Sequence, residues 1–310
     1  MWSTWASTPD DLARAAPDDR VLTITDETQL AAASDAEIAF AGLNPERVKK
    51  LLAALPNLRW MHTPAAGVER IVDLPELRAR GVTVTNNSGS YDAQIAEHVM
   101  ACVFAASKRL HIYRDQQTRR EWRDHPHTEV RGSVMVVYGM GSIGGEVARL
   151  AAAAGMRVIG VRRRAAPSPR IARVVEPEAL GDVAAEADYL AICAPLTPAT
   201  RGAVSRAVIA RMKPTAWIVN IARGAIADEA ALLEALRAGR LGGAAIDAFT
   251  VEPLPPDSPW WSLENVIVTP HASNSSPRLK ERTLALFLEN LRRYKAGVPL
   301  LNQVDFGAGY

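Results

Sequence analysis

The sequence predicts an α/β fold with doubly wound parallel sheets, and three observations carry that expectation. Short apolar segments alternate with helical patterns along nearly the whole chain, the signature of strands joined by crossover helices. A glycine-patterned turn, Gly139 to Gly144, stands between an apolar strand and an amphipathic helix. The chain has 310 residues, about two domains' worth, and 48% are hydrophobic, enough for a substantial core.

Over residues 1 to about 90 the pattern predicts strands at 21–25, 37–40, 58–62 and 82–85. A helix is expected over 45–55, with Asn44 as its N-cap and Pro56 as its stop. A long helix follows over 93–114, with Ile95, Val99, Cys102, Val103 and Leu110 on one apolar stripe. A second series then begins, with strands at 134–138, 157–161, 189–193, 216–221, 244–246 and 266–269. Helices are expected at 143–154 and 228–238, and a last one at 277–295 carries Leu284, Leu286, Phe287 and Leu291.

Composition excludes several classes of function. With 36 Lys+Arg against 34 Asp+Glu, the net charge of +2 gives no reason to expect nucleic acid or an anionic membrane as a partner. No apolar run approaches the ~18 residues needed to span a bilayer. The N-terminal stretch lacks the basic and apolar regions of a signal peptide. Cys102 and Cys193 lie far apart in apolar runs, without metal-ligand or redox spacing, and are expected as buried thiols in a reducing compartment. These features predict a soluble cytoplasmic protein that holds no metal.

The run Gly139-Met140-Gly141-Ser142-Ile143-Gly144 fits the G-x-G-x-x-G pattern, and its strand–turn–helix–strand setting gives it weight. The first glycine permits the tight turn, and the second lets the backbone approach a pyrophosphate. The third lets the helix pack close to the sheet, while the helix N-terminus favours an anion. An NAD site places Asp or Glu at the end of the next strand, some twenty residues on, to bond the ribose 2′-hydroxyl. Here that strand ends in Arg162, Arg163 and Arg164. Guanidinium groups suit a 2′-phosphate, so NADP(H) is favoured over NAD(H).

Three ionisable residues stand just beyond predicted strands: Arg223, Glu252 and His271. Ligands of open α/β sheets bind beyond the carboxyl ends of the strands, where all three are expected to project. His62, His111, His125 and His127 fit no motif and are expected to be structural. Trp260 and Trp261 suit a pocket wall as well as they suit buried packing.

With these motifs in place, the chain resembles the D-isomer-specific 2-hydroxyacid dehydrogenase family over essentially its full length. The matching stretches are 139–144, 194–200, 219–224, 228–232, 247–255 and Thr269-Pro270-His271. Within the family it is most similar to GhrA-type glyoxylate/hydroxypyruvate reductases, which share the tail Gln303-Val304-Asp305…Gly309-Tyr310. The resemblance implies two Rossmann-like or flavodoxin-like domains, with a cofactor domain (96–274) inserted into a substrate domain (1–95 and 275–310). It implies reduction of short 2-oxo acids such as glyoxylate and hydroxypyruvate, and a homodimer formed through the cofactor domain. His271 would donate the proton as imidazolium, Glu252 would hold the ring and favour its charged form, and Arg223 would clamp the carboxylate. It further assigns the backbone N–H groups of Ala66, Gly67 and Val68 to the substrate carboxylate. Pro195, Leu196 and Thr200 would line the cofactor, Ile221 and Ala222 would lie beside the nicotinamide, and Asp247 would hold its carboxamide. Glu97 and His98 match a structural part of the helix joining the domains. Two other readings stay open at this point. Phosphite dehydrogenases use a similar Arg, Glu, His set, and some relatives of this fold are dinucleotide-sensing binding proteins.

Overall fold

The computed structural model describes residues 9–165 and 171–310. Residues 1–8, on which the expectation about targeting segments partly rests, lie outside that range. The chain forms two compact units, Met1–Tyr91 with Ser276–Tyr310, and Asp92–Ser275.

The first unit is built on three parallel strands in the order β1 (Ile38–Phe40), β2 (Trp60–His62), β3 (Thr83–Thr85). Around them lie α1 (Pro9–Ala15), α2 (Pro45–Ala54), α3 (Pro75–Arg80) and a C-terminal helix, Leu279–Lys295. Helix α2 starts where Asn44 accepts from Arg47 N at 3.1 Å and Pro45 supplies a preset first turn. Its face of Val48, Leu51 and Leu52 is buried in the core beside Leu77 and Val84. The C-terminal helix stacks Phe287 on Trp60 at 5.2 Å between ring centroids. The chain end then runs along β3, with Asn86 N donating to Asn302 O at 3.1 Å and Val304 N to Val84 O at 2.8 Å.

Residues 21–25 do not form the expected strand. The amides of Thr25 and Asp26 donate to Gln29 Oε1, at 2.8 and 3.3 Å, within a capping box that starts the 3₁₀ turn Glu27–Ala33. A local cap has taken the donors that a sheet ladder would need.

Among the described residues, the second unit holds seven parallel strands in the order β10-β9-β8-β7-β4-β5-β6. They are β4 (Val134–Tyr138), β5 (Arg157–Val161), β6 (Arg173–Val175), β7 (Tyr189–Ile192), β8 (Trp217–Asn220), β9 (Gly243–Ile246) and β10 (Val266–Val268). The order reverses between β4 and β7, so the switch point of this doubly wound sheet opens at the end of β4. Helices α4 (Asp92–Ser107), α5 (Leu110–Arg119), α6 (Ser142–Ala153), α7 (Leu180–Ala184), α8 (Arg206–Arg211) and α9 (Glu229–Arg237) belong to the same unit. The single helix expected over 93–114 is two. Arg109 sits at φ +54°, and Ser107 is tied to Thr128 through its carbonyl (3.1 Å) and its hydroxyl (2.8 Å). Among the described residues, no helix is long and apolar enough to cross a membrane.

His62 shows how the first core holds a titratable group. It is fully buried between Phe40 and Phe287, with ring centroids at 5.3 and 5.6 Å, and its Nδ1 meets Thr85 Oγ1 at 2.8 Å. Thr85 Oγ1 also accepts from Trp60 Nε1 at 2.8 Å, while His62 Nε2 has no partner. Burial pushes this imidazole down to about 4 from the ordinary 6.5 or so. A histidine kept neutral in the fold stabilises it fully above the unfolded value, and that contribution is lost as pH falls towards the folded one. Between pH 7 and pH 5 the loss from His62 should be about 2 kcal/mol. Urea unfolding followed by tryptophan fluorescence should show this slope in the wild type and lose it in His62→Gln. A difference between the two proteins that does not change with pH would refute it.

Candidate active site

The end of β4 is shaped by close backbone approach. Gly139 has φ +98°, and a Cβ there would lie 2.4 Å from Ala194 N. A Cβ on Gly144 would lie 1.9 Å from Gly139 O, so only glycine lets α6 come this near the strand. Gly141 differs, because a Cβ placed there would meet nothing within 4 Å. Helix α6 begins at Ser142 with no side-chain cap bond, which leaves its anion-favouring end beside that open space. Met140 and Ile143 complete the turn. The Met140 side chain lies over Gly160 of β5, where a Cβ would come within 2.9 Å of its Cγ.

One strand along, Arg162 N donates to Val175 O at 3.0 Å, and the side chains of Arg162, Arg163 and Arg164 are exposed. Among the described residues, no carboxylate lies within ion-pair distance of Arg162 or Arg164. Beyond β7, Thr200 Oγ1 donates to Pro195 O at 2.6 Å and accepts from Thr197 N at 2.8 Å. That closes the loop carrying Pro195, Leu196 and Thr200. An open glycine at a helix N-terminus, with the exposed guanidinium groups of Arg162 and Arg164 at the next strand end, fits a phosphorylated dinucleotide.

Strands β8, β9 and β10 are neighbours, with Asn220 in register with Ile246 and Ile246 with Val268. Their carboxyl ends therefore bring Arg223, Asp247 and His271 to one edge. At the end of β8, Asn220 is buried and works from both sides: its Oδ1 accepts from Ala222 N at 3.1 Å and its Nδ2 donates to Arg223 O at 3.0 Å. Ile221 and Ala222 are buried, and Arg223 is half-buried, with its guanidinium donating to Ala222 O at 2.7 Å.

Asp247 is 1% exposed. Its Oδ1 accepts from Thr269 Oγ1 at 2.6 Å and from Ala272 N at 2.9 Å, and its Oδ2 from Ser273 N at 3.1 Å. Burial pushes this carboxyl up, but the hydrogen bonds from Ser273, Thr269 and Ala272 outweigh it, and the group stays below the ordinary carboxylate range. The turn it holds carries His271 at φ +52°, in the left-handed region. His271 Nδ1 meets Glu252 Oε2 at 2.9 Å, and Glu252 Oε1 accepts from Phe249 N at 2.9 Å. Both side chains keep about a third of their surface in solvent.

The structure thus places Arg223, Glu252 and His271, with Asp247, in the second unit, together with the glycine turn and the arginine run. Ala66, Gly67 and Val68 belong to the first unit, in the turn after β2. There Asn86 Nδ2 donates to Ala66 O at 2.9 Å, and Val68 is buried with its carbonyl accepting from Ile71 N and Val72 N. Trp260 is buried against Phe249 at 5.8 Å, whereas Trp261 is exposed and donates Nε1–H to Pro255 O at 2.8 Å. Asn220 and Thr269 are supporting residues that the sequence did not single out. A polar residue closing an apolar strand was the available signal for Asn220. Thr269 stood inside the quoted Thr-Pro-His stretch without a role.

Comparison with known proteins follows the same lines. Residues 100–273 match the family model for the D-isomer specific 2-hydroxyacid dehydrogenase, NAD binding domain. The chain belongs to that family. It is 35% identical over 267 residues to a glyoxylate reductase of Korarchaeum cryptofilum, covering 82% of this chain and 79% of that one. It is 34% identical over 262 residues to D-3-phosphoglycerate dehydrogenase of Mycobacterium bovis, but spans only 49% of that protein's length. Among solved structures it is similar to the NADPH-dependent glyoxylate/hydroxypyruvate reductase of Sinorhizobium meliloti in complex with NADP and sulfate. That match has a TM-score of 0.82 and 30% identity, and covers 97% of this chain and 95% of that one. A D-isomer specific 2-hydroxyacid dehydrogenase of Xanthobacter autotrophicus, in complex with NADPH and MES, matches with a TM-score of 0.85 and 30% identity. It covers 100% of this chain and 98% of that one.

Proposed function

We propose that this dehydrogenase reduces short 2-oxo acids, glyoxylate and hydroxypyruvate among them, to D-2-hydroxy acids with NADPH. The observation that carries the reading is the 2.9 Å contact of His271 Nδ1 with Glu252 Oε2, at the sheet edge that also bears Arg223. When bound, the reduced nicotinamide supplies a hydride to the carbonyl carbon. The chain's own residues supply the rest. With Nδ1–H given to Glu252, the proton for the carbonyl oxygen comes from His271 Nε2, and the Glu252 carboxylate steadies the imidazolium. Arg223 holds the carboxylate and faces the charge that develops on oxygen. The amides of Ala66, Gly67 and Val68 are assigned to the same carboxylate on the family resemblance.

We read the glycine turn, Gly139 to Gly144, as the pyrophosphate cradle and Arg162 as the group that reads the 2′-phosphate, with Arg163 and Arg164 beside it. Pro195, Leu196 and Thr200 line this cofactor site, and Ile221 and Ala222 lie beside the nicotinamide. The NADP-bound structures of similar proteins support NADPH over NADH. We also read the protein as a cytoplasmic homodimer formed through the second unit. Exposed Phe104 on α4, Leu110 on α5 and Trp122 after it support that reading. So do the free thiols Cys102 and Cys193, as a mark of a reducing compartment.

NADPH oxidation at 340 nm with a panel of 2-oxo acids tests the activity. Turnover should appear with the shortest acids and vanish in His271→Ala, which should still bind NADPH. No turnover with any acid would sink the proposal, and NAD(P)+ reduction by phosphite would replace it with another chemistry. Arg162→Asp should raise KM for NADPH by about tenfold or more, in line with loss of a charge-assisted phosphate contact, and change KM for NADH little. Equal effects on the two cofactors would refute the role of Arg162. Sedimentation velocity should give the dimer mass, and a monomer at micromolar concentration would overturn the dimer.

A further inference from the structure

Two segments of the second unit carry the proposed chemistry: the Arg223 turn after β8, and the 249–252 stretch that ends in Glu252. Glu229, the first residue of α9, touches both. Its Oε1 accepts from Thr250 N at 2.8 Å. The other side of the same point is Gly224, where a Cβ would lie 2.3 Å from Glu229 Oε1, 2.2 Å from Thr250 N and 2.3 Å from Phe249 C. The missing side chain of Gly224 is what allows the helix start, the Arg223 turn and the Glu252 segment to meet.

Consecutive amides of that segment are held by two different carboxylates. Phe249 N donates to Glu252 Oε1 at 2.9 Å, and Thr250 N donates to Glu229 Oε1. Glu252 Oε2 then reaches His271 Nδ1. Burial pushes the Glu229 carboxyl up, the hydrogen bonds from Thr250 oppose that, and the Glu252 charge adds to it. A carboxylate half-buried beside a second one is an unfavourable placement. The hydrogen bond accepted from Thr250 N offsets that placement.

We propose that Glu229 is a positioning residue for proton transfer, pinning the 249–252 segment to the Arg223 turn so that Glu252 meets His271. The proposal rests on reading Glu252 and His271 as the acid–base pair, and its test separates the two. Gln at 229 can still accept from Thr250 N–H, whereas Ala cannot. Glu229→Ala should lower kcat for 2-oxo acid reduction by about tenfold, the scale set by misplacing a catalytic group by less than 1 Å, with the Kd for NADPH unchanged. Glu229→Gln should restore kcat to near wild type. The downfield Nδ1–H proton of His271, followed by NMR, should be present in the wild type and in Glu229→Gln and broadened away in Glu229→Ala. If Glu229→Ala does not fold, Glu229→Asp, too short to span to Thr250, takes its place. An unchanged His271 signal in the Ala or Asp variant overturns the proposal. So does a Glu229→Gln enzyme as slow as Glu229→Ala. If the wild type turns over no 2-oxo acid, the functional reading fails, and the NMR comparison still decides the role of Glu229.

Discussion

The carboxylate of Asp247 is almost wholly buried, and the reactive edge of the sheet is organised around it. A buried ionised group is costly unless it is hydrogen-bonded, and here three donors from one turn satisfy it. All three lie in the span Thr269–Ser273, so satisfying the charge also sets the backbone of His271. That residue stands at φ +52°, a conformation costing of order 1 kcal/mol outside glycine. The hydrogen bonds to Asp247 offset this, and the imidazole is held where Glu252 can take its Nδ1–H.

The same logic repeats at the neighbouring strands. Asn220, buried at the end of β8, satisfies its amide with Ala222 N and Arg223 O, and thereby fixes the path of the chain through Arg223. At β4 the constraint is steric, since Gly139 and Gly144 allow a strand, a helix and the β7 loop to approach more closely than any side chain would permit. The ends of β4, β8 and β9 thus each carry a buried polar or glycine device. A sheet with its carboxyl ends aligned needs only such local devices to gather residues far apart in sequence.

How much of this was legible in the sequence follows from where each feature gets its energy. Strands β4, β5, β7, β8 and β9 are buried on both faces and read as apolar runs, and the glycine turn and the Arg, Glu, His set carry their own chemistry in residue type. Segment 21–25 looked equally strand-like, but its fate was decided by a side chain, Gln29, competing for its amides. The break at Arg109 was hidden because apolar periodicity continues across it, and its cause is a contact with Thr128, far along the chain. Strand β6 has three residues at a sheet edge, with Arg173 exposed and Val174 and Val175 only partly buried, too short a run to stand out. The turn that Asp247 holds more than twenty residues later was not legible, because nothing in the local sequence says which donors its oxygens meet.

Three carboxylates and an imidazole within one short arc raise a question of charge, since Asp247, Glu252 and Glu229 all lie close to His271 or to its support. The three are not equivalent. Asp247 is dry and fully engaged, so it holds its charge below the ordinary range and contributes a constant field. Glu252 keeps about a third of its surface in water and makes the only one of these contacts that reaches the ring. Glu229 is turned towards the backbone of the Glu252 segment rather than towards the imidazole. Position therefore divides the labour in the proposed reaction: one carboxylate sets the backbone of the proposed acid, one meets its ring at Nδ1, and one is proposed to set the segment that brings the second to the first. Of the three, Glu252 is the one that meets the His271 ring, so it is the carboxylate on which the proposed proton transfer would draw directly.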